Sequence, residues 1–146
     1  MPGIVVGVDG SGHSQRALEW AMKEAAVRKV PLTVMTVHEL IKGYYGGMVE
    51  YPSDAVLAEK VHKLVQDEAH EVIQTLGSQR PETVTVRTLS GSVVEELVKA
   101  GKDADMLVVG SRGAGGFSRM VMGSVSSLVL HHATCPVVVI PPAGRD

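Results

Sequence analysis

Cysteine is almost missing from this 146-residue chain: Cys135 stands alone. No internal disulfide can form, and a reducing cytoplasm is the expected compartment. An excess of charge of one sign is missing too. Fourteen basic residues face sixteen acidic ones, a net charge of −2, so neither nucleic acid nor an anionic membrane is an expected partner. No run approaches the roughly 18 apolar residues that a spanning helix needs. Met1 to Val6 passes straight into a strand-like pattern, without the basic segment and long apolar stretch of a signal peptide. Repeats, linkers and low-complexity segments are absent as well.

What is present is an ordinary globular composition, 45% apolar and 21% charged, on a length that suits one domain with a real core. Strand and helix patterns alternate along it. Ile4 to Val8 reads as a buried first strand. Ser11 to Ser14 offers caps for a helix with Ala17, Leu18, Ala21, Met22, Ala25 and Ala26 on one face, closed by Pro31. Leu32 to Val37 is a second strand, and His38 to Pro52, with three glycines, reads as a flexible loop. Ser53 or Asp54 caps a long helix with the stripe Leu57, Val61, Leu64, Val65, Val72, Ile73 and Leu76, and Gly77 stops it. Thr83 to Leu89, Met106 to Val109 and Pro136 to Ile140 complete the strands. Between them fall helices bearing Val94, Leu97 and Val98, then Val125 to His132. Five strands alternating with four helices predict a doubly wound α/β domain, a parallel sheet with helices on both faces.

Such a sheet takes ligands at the carboxyl ends of its strands. Three loops converge there: Asp9-Gly10-Ser11, Val37-His38, and Gly110-Ser111-Arg112-Gly113, the last followed after nine residues by Gly123-Ser124. Glycines let backbone N–H groups approach an anion, and a helix N-terminus supplies unpaired donors. The arrangement predicts a phosphate site. Asp9 is placed to meet a ribose hydroxyl or a metal ion accompanying phosphates; the same residue type also makes Asx-turns and helix caps.

Known phosphate motifs are missing. No glycine is followed by Lys and Ser or Thr in the ATPase pattern, since Gly101-Lys102 leads to Asp103. Gly10-Ser11-Gly12 is followed by His13, Ser14 and Gln15 where the dinucleotide fingerprint needs a third glycine. His-x-Gly-His and Ser-Gly-Gly-x-Asp-Ser are also absent. His62 and His70 stand eight apart on one helix, not the four of a ligand pair, and adjacent His131 and His132 point in different directions. No metal site is predicted. Arg112 and Arg119 are either phosphate contacts or solvated arginines, and Trp20 falls off the main stripe of its helix.

Gly110-x-x-Gly113, nine residues and Gly123-Ser124 together resemble the nucleotide-binding signature of the universal stress protein family. Ile4 to Ser11 resembles that family's opening strand and turn, Ala104 to Gly113 its fourth strand, Gly116-Phe117 to Val125 its phosphate loop, and Cys135 to Ile140 its last strand. The resemblance covers residues 1–146 as one domain. It implies a flavodoxin-like or Rossmann-like sheet of order 3-2-1-4-5 and, with the signature intact, ATP as ligand, accompanied by Mg2+. Asp9 would contact ribose and phosphates, and Val37 the adenine through its backbone. Gly110 and Gly113 would line the ribose and phosphate path; Gly123, Ser124 and Val125 would hold phosphates. A homodimer pairing Pro136 to Ile140 across a two-fold axis is implied too. No committed general base stands near the loop except Asp9, so any hydrolysis is expected to be slow. The alternatives are a weak metal-dependent ATPase or phosphotransferase, and a dimeric interaction protein with no ATP, or with AMP or cyclic AMP as ligand.

Overall fold

The computed structural model describes residues 3–9, 12–38, 54–111 and 123–141, the side chains of 12, 13 and 54–57 excepted. Arg112, Gly113 and Arg119, residues 39–52 of the segment read as a loop, and the cap candidate Ser53 lie outside the described residues. In chain order the elements are β1 (Ile4–Gly7), α1 (Gly12–Arg28), β2 (Leu32–His38), α2 (Asp54–Leu76), β3 (Val84–Ser90), α3 (Val93–Gly101), β4 (Met106–Gly110), α4 (Ser124–His132) and β5 (Val137–Ile140). The strands form one sheet of order β3-β2-β1-β4-β5, every pair parallel. The sheet is therefore the expected one, and the four crossovers place helices on both faces.

Alternation along the strands divides the core in two. Ile4, Val6, Leu32, Val34, Met106 and Val108 pack under α1 and α2, against Leu18, Met22, Val65 and Val72. Val5, Met35, Leu107 and Val109 point the other way, against Leu97 of α3 and Val129 of α4. Each fully buried side chain of this size contributes about 1.5–3 kcal/mol relative to exposure. Trp20, off the main stripe, is partly buried against the first of these clusters. Leu64 departs from its expected place: it is 55% exposed. The arc of α2 that meets the sheet is centred on Val65, Ala69 and Val72, and Leu64 lies about 100° round the helix from Val65.

Two helix ends show different solutions to one problem. α2 gives way at Gly77, whose φ of 57° is free of steric cost. α1 ends with no glycine at all. Lys29 adopts φ 57°, its N–H donates to Ala26 O at 3.2 Å, and Val30 N–H reaches back to Ala25 O at 3.0 Å. This is a Schellman closure with lysine in the left-handed position, at a cost of about 1–2 kcal/mol. Pro31 then starts the return, its carbonyl accepting from Ile4 N at 3.0 Å. Among the described residues no helix is long and apolar enough to cross a membrane.

Candidate functional site

β1 hands the chain leftward to β2, and β4 hands it rightward to β5, so the topological switch point lies between β1 and β4. Register fixes what meets there. Gly7 pairs with Met35 and Val6 with Val108. Continuing those ladders sets Asp9 level with Val37 on one side and with Ser111 on the other. The turn after β1 is closed by Asp9 N–H donating to the buried Ser14 hydroxyl at 3.3 Å, which leaves Asp9 exposed at the sheet edge. Val37 is half-buried at the end of β2, and its neighbour His38 accepts from Gly91 N at 3.0 Å.

Ser111 ties the other half together. Its N–H bonds Ile140 O at 2.9 Å, and its carbonyl accepts from Gly123 N–H and from the Ser126 hydroxyl at 3.3 Å. The start of α4 is thereby fixed to the end of β4. Helix α4 begins one residue earlier than its sequence pattern predicts, at Ser124, with Gly123 as N-cap. That cap supplies no side-chain bond. α3 provides the contrast: there the Ser92 hydroxyl accepts from Glu95 N at 3.3 Å. The first turn of α4 thus keeps its backbone donors unsatisfied by a cap, at the switch point, with the positive end of the helix dipole. Gly123 has φ −75° and ψ 167°, ordinary extended backbone, so no unusual conformation calls for glycine here.

Of the predicted site residues, Asp9, Val37, Gly110, Gly123, Ser124 and Val125 stand at this one edge; Gly113 lies outside the described residues. Two more residues lie beside it that the sequence reading did not single out. The Ser111 hydroxyl is buried without a hydrogen-bond partner, which costs about 1–3 kcal/mol unless a ligand satisfies it. The available signal was its place inside Gly110-Ser111-Arg112-Gly113. Glu68 of α2 had no signal at all, because only packing brings it near Asp9. Burial, then the charges of Asp9 and Glu71, push its carboxyl above the ordinary value of 4.5.

The folded chain therefore holds the Glu68 proton to higher pH than the unfolded chain does, and stability falls as pH rises from 4.5 through the raised value. Glu68→Gln, which cannot ionise, is expected to raise Tm at pH 7, with the gain shrinking to nothing as pH falls toward 4. Equal gains at both pH values would show that charge is not the cause.

The remaining candidates are structural or solvated. His62 Nδ1 bonds the Thr88 hydroxyl at 2.8 Å, tying α2 to β3. His131 and His132 meet edge to face at the end of α4. Among the described residues no group of three or more His, Cys, Asp or Glu could hold a metal. Burial pushes the Cys135 thiol above its ordinary value, which makes it a poor nucleophile.

Comparison with known proteins agrees with this geometry. The model of the universal stress protein family matches residues 2–141. A universal stress protein of Mycobacterium tuberculosis is 36% identical over 98% of this chain, which spans 49% of that protein; the chain is thus about half the length of the curated relatives it matches. Among solved structures, UspA of Lactobacillus plantarum is 25% identical with TM-score 0.74, over 95% of this chain and 97% of that one. A universal stress protein of Archaeoglobus fulgidus, in complex with dAMP, is 27% identical with TM-score 0.64, over 96% of this chain and 98% of that one. With its sheet order, its switch-point edge and these matches taken together, the chain belongs to the universal stress protein family.

Proposed function

We propose that this chain is a cytoplasmic regulatory module that binds ATP, with Mg2+, at the edge between β1 and β4, and that it turns the nucleotide over slowly if at all. The observation that carries the reading is the start of α4: a glycine N-cap with no side-chain bond, held to β4 by Gly123 N–H and Ser111 O. Backbone donors and the Ser124 hydroxyl hold phosphate oxygens there. The buried Ser111 hydroxyl, lacking a partner, adds a donor at the same edge. Asp9 accepts from ribose or neighbours a phosphate-bound cation, and the end of β2 at Val37 meets the base through its backbone. Gly110 and Gly113 keep the path clear of Cβ atoms. Slow turnover follows from the lack of a committed base: phosphoryl transfer needs an oriented nucleophile as well as bound phosphates. The Archaeoglobus relative in complex with dAMP favours a second reading, in which a monophosphate is the resident ligand.

The test is to purify the protein without added nucleotide, denature it, and identify what is released by chromatography and mass spectrometry. Stoichiometric ATP supports the first reading, AMP the second. An empty site, with no saturable binding of either in a titration with magnesium, sinks both.

The same proposal includes a homodimer through β5. Pro136 O accepts from Leu107 N, and Ile140 O from Ser111 N, each at 2.9 Å. By alternation the backbone groups of Val137 and Val139 point away from β4, ready for another strand. Beside them α4 exposes Val125, Leu128 and Leu130, three of the five exposed large apolar side chains among the described residues. Val139→Pro removes an outward N–H and spares the ladder to β4, so it is expected to yield a folded monomer by size-exclusion chromatography with light scattering. A wild-type chain that is monomeric at micromolar concentration removes the dimer from the proposal.

A further inference from the structure

The two faces of the sheet are not covered alike. α2 packs along β3 and β2, while α3 lies chiefly over β2, β1 and β4. On the α3 face, Thr85 and Arg87 of β3, which alternate onto that face, are exposed, while Leu89 beyond them packs against the second core cluster. Between this strip and α3 lies an open cavity of about 480 Å3, within the range of small-molecule sites. Thr33, Met35, Arg87 and Leu89 floor it, and Glu96 and Lys99 wall it, with Asp103 at one end. It shares no residue with the Asp9, Gly110 and Ser124 edge.

The charges in this groove have an order. A Cβ on Gly7 would sit 3.1 Å from Leu97, and Gly7, Met35 and Arg87 share one level of the sheet. Arg87 is therefore level with Leu97, and Lys99 lies about half a turn along α3 from it. Glu96 lies toward the other end, its Oε1 close to Gly91. Asp103 marks the opposite end, where Asp105 N bonds Gly3 O at 2.8 Å. Along the groove the sequence is carboxylate, two cations, carboxylate. Among the described residues none of these four side chains has an ion-pair partner.

We propose that this groove is a second ligand site, for a small organic molecule with one anionic group between Arg87 and Lys99 and hydroxyl donors reaching Glu96 or Asp103. Arg87 and Lys99 attract a single carboxylate or phosphate, with Arg87 offering a planar fork of donors. The flanking carboxylates accept hydrogen bonds from hydroxyls and repel further negative charge, so a triphosphate is rejected where a monoester or a sugar acid is taken. Met35 and Leu89 give the carbon skeleton an apolar floor.

The probes are gluconate for the carboxylate and glycerol 1-phosphate for the phosphate, each titrated to about 10 mM, a range that captures millimolar affinity. The readout is the amide spectrum of the 15N-labelled protein. Saturable shifts at Met35, Arg87, Leu89 and Lys99 are expected from at least one probe, and which probe acts identifies the anion. Arg87→Gln, an exposed change, should weaken that binding at least tenfold and leave ATP affinity unaltered. The proposal is overturned if neither probe shifts the groove amides, if shifts are confined to Gly123 and Ser124, or if Arg87→Gln binds as well as wild type. Groove shifts that follow protein concentration alone would also overturn it, because a second copy would then cover this face.

Discussion

Gly123→Val is expected to lower ATP affinity at least 100-fold, about 2.7 kcal/mol, with native far-ultraviolet dichroism and little change in Tm without nucleotide. The two halves of that result come from different atoms. The backbone of Gly123 is pinned on both sides: its N–H donates to Ser111 O, and its carbonyl accepts from Ser127 N at 3.1 Å and from the Ser126 hydroxyl at 3.0 Å. With φ −75° and ψ 167°, a β-branched residue adopts the same conformation without strain. Losing a favourable N-cap type costs about 1 kcal/mol, or roughly 2–4 °C in a domain of this size. Valine adds bulk where the phosphates must approach the first turn of α4. Unchanged affinity, measured by calorimetric titration, would mean that phosphates lie elsewhere. A chain that unfolds would make Gly123 a structural turn and leave the site without its main support. Ser124→Ala is the milder companion, about tenfold weaker, because it removes a hydroxyl and leaves the N–H groups in place.

How much of this was legible beforehand differs between fold and site. The sheet could be read because its inner strands are short apolar runs bounded by glycine and proline, and parallel order follows from the alternation of strands and helices. Helix detail was less legible where three-dimensional neighbours decide. α4 buries Ser126 alongside Val129 while exposing Leu128 and Leu130, so a serine takes a place that side-chain polarity would give to a leucine. The reason is that the Ser126 hydroxyl bonds the carbonyls of Ser111 and Gly123, so the polar residue belongs at the joint with β4. The end of α1 was readable only through Pro31, since Lys29 does the work of a C-terminal glycine. At the site, the glycine spacing pointed to an anion-binding edge, and the fold sets Gly110 at the end of β4 beside Gly123 and Ser124 at the start of α4. The buried Ser111 hydroxyl and the approach of Glu68 to Asp9 did not announce themselves, because burial and charge proximity arise when β4 meets α4 and α2 meets the end of β1.

The last expectation joins the fold to that edge. Leu97 is the only large side chain that α3 buries fully, and it rests on Gly7, the final residue of β1. A Cβ at Gly7 would stand 3.1 Å from both Leu97 methyl carbons, tighter than ordinary contact. Leu97→Ala is expected to destabilise the domain by about 2–5 kcal/mol through lost burial and a residual cavity. Gly7→Ala alone should cost about 1–3 kcal/mol through overpacking. Together the signs change. With Leu97 truncated, the added methyl group enters vacated space, and replacing a strand glycine also lowers the entropy of the unfolded chain, worth about 0.4–1 kcal/mol. Gly7→Ala should therefore stabilise the Leu97→Ala protein while destabilising wild type, a coupling of at least 1 kcal/mol in a double-mutant cycle. Urea midpoints of the four proteins at constant slope measure it. Additive effects would mean that α3 is seated by its half-buried valines and not by this contact. Because Asp9 lies only two residues beyond Gly7, ATP affinity of the folded double variant reports whether the end of β1 keeps its place when the packing beneath it is exchanged.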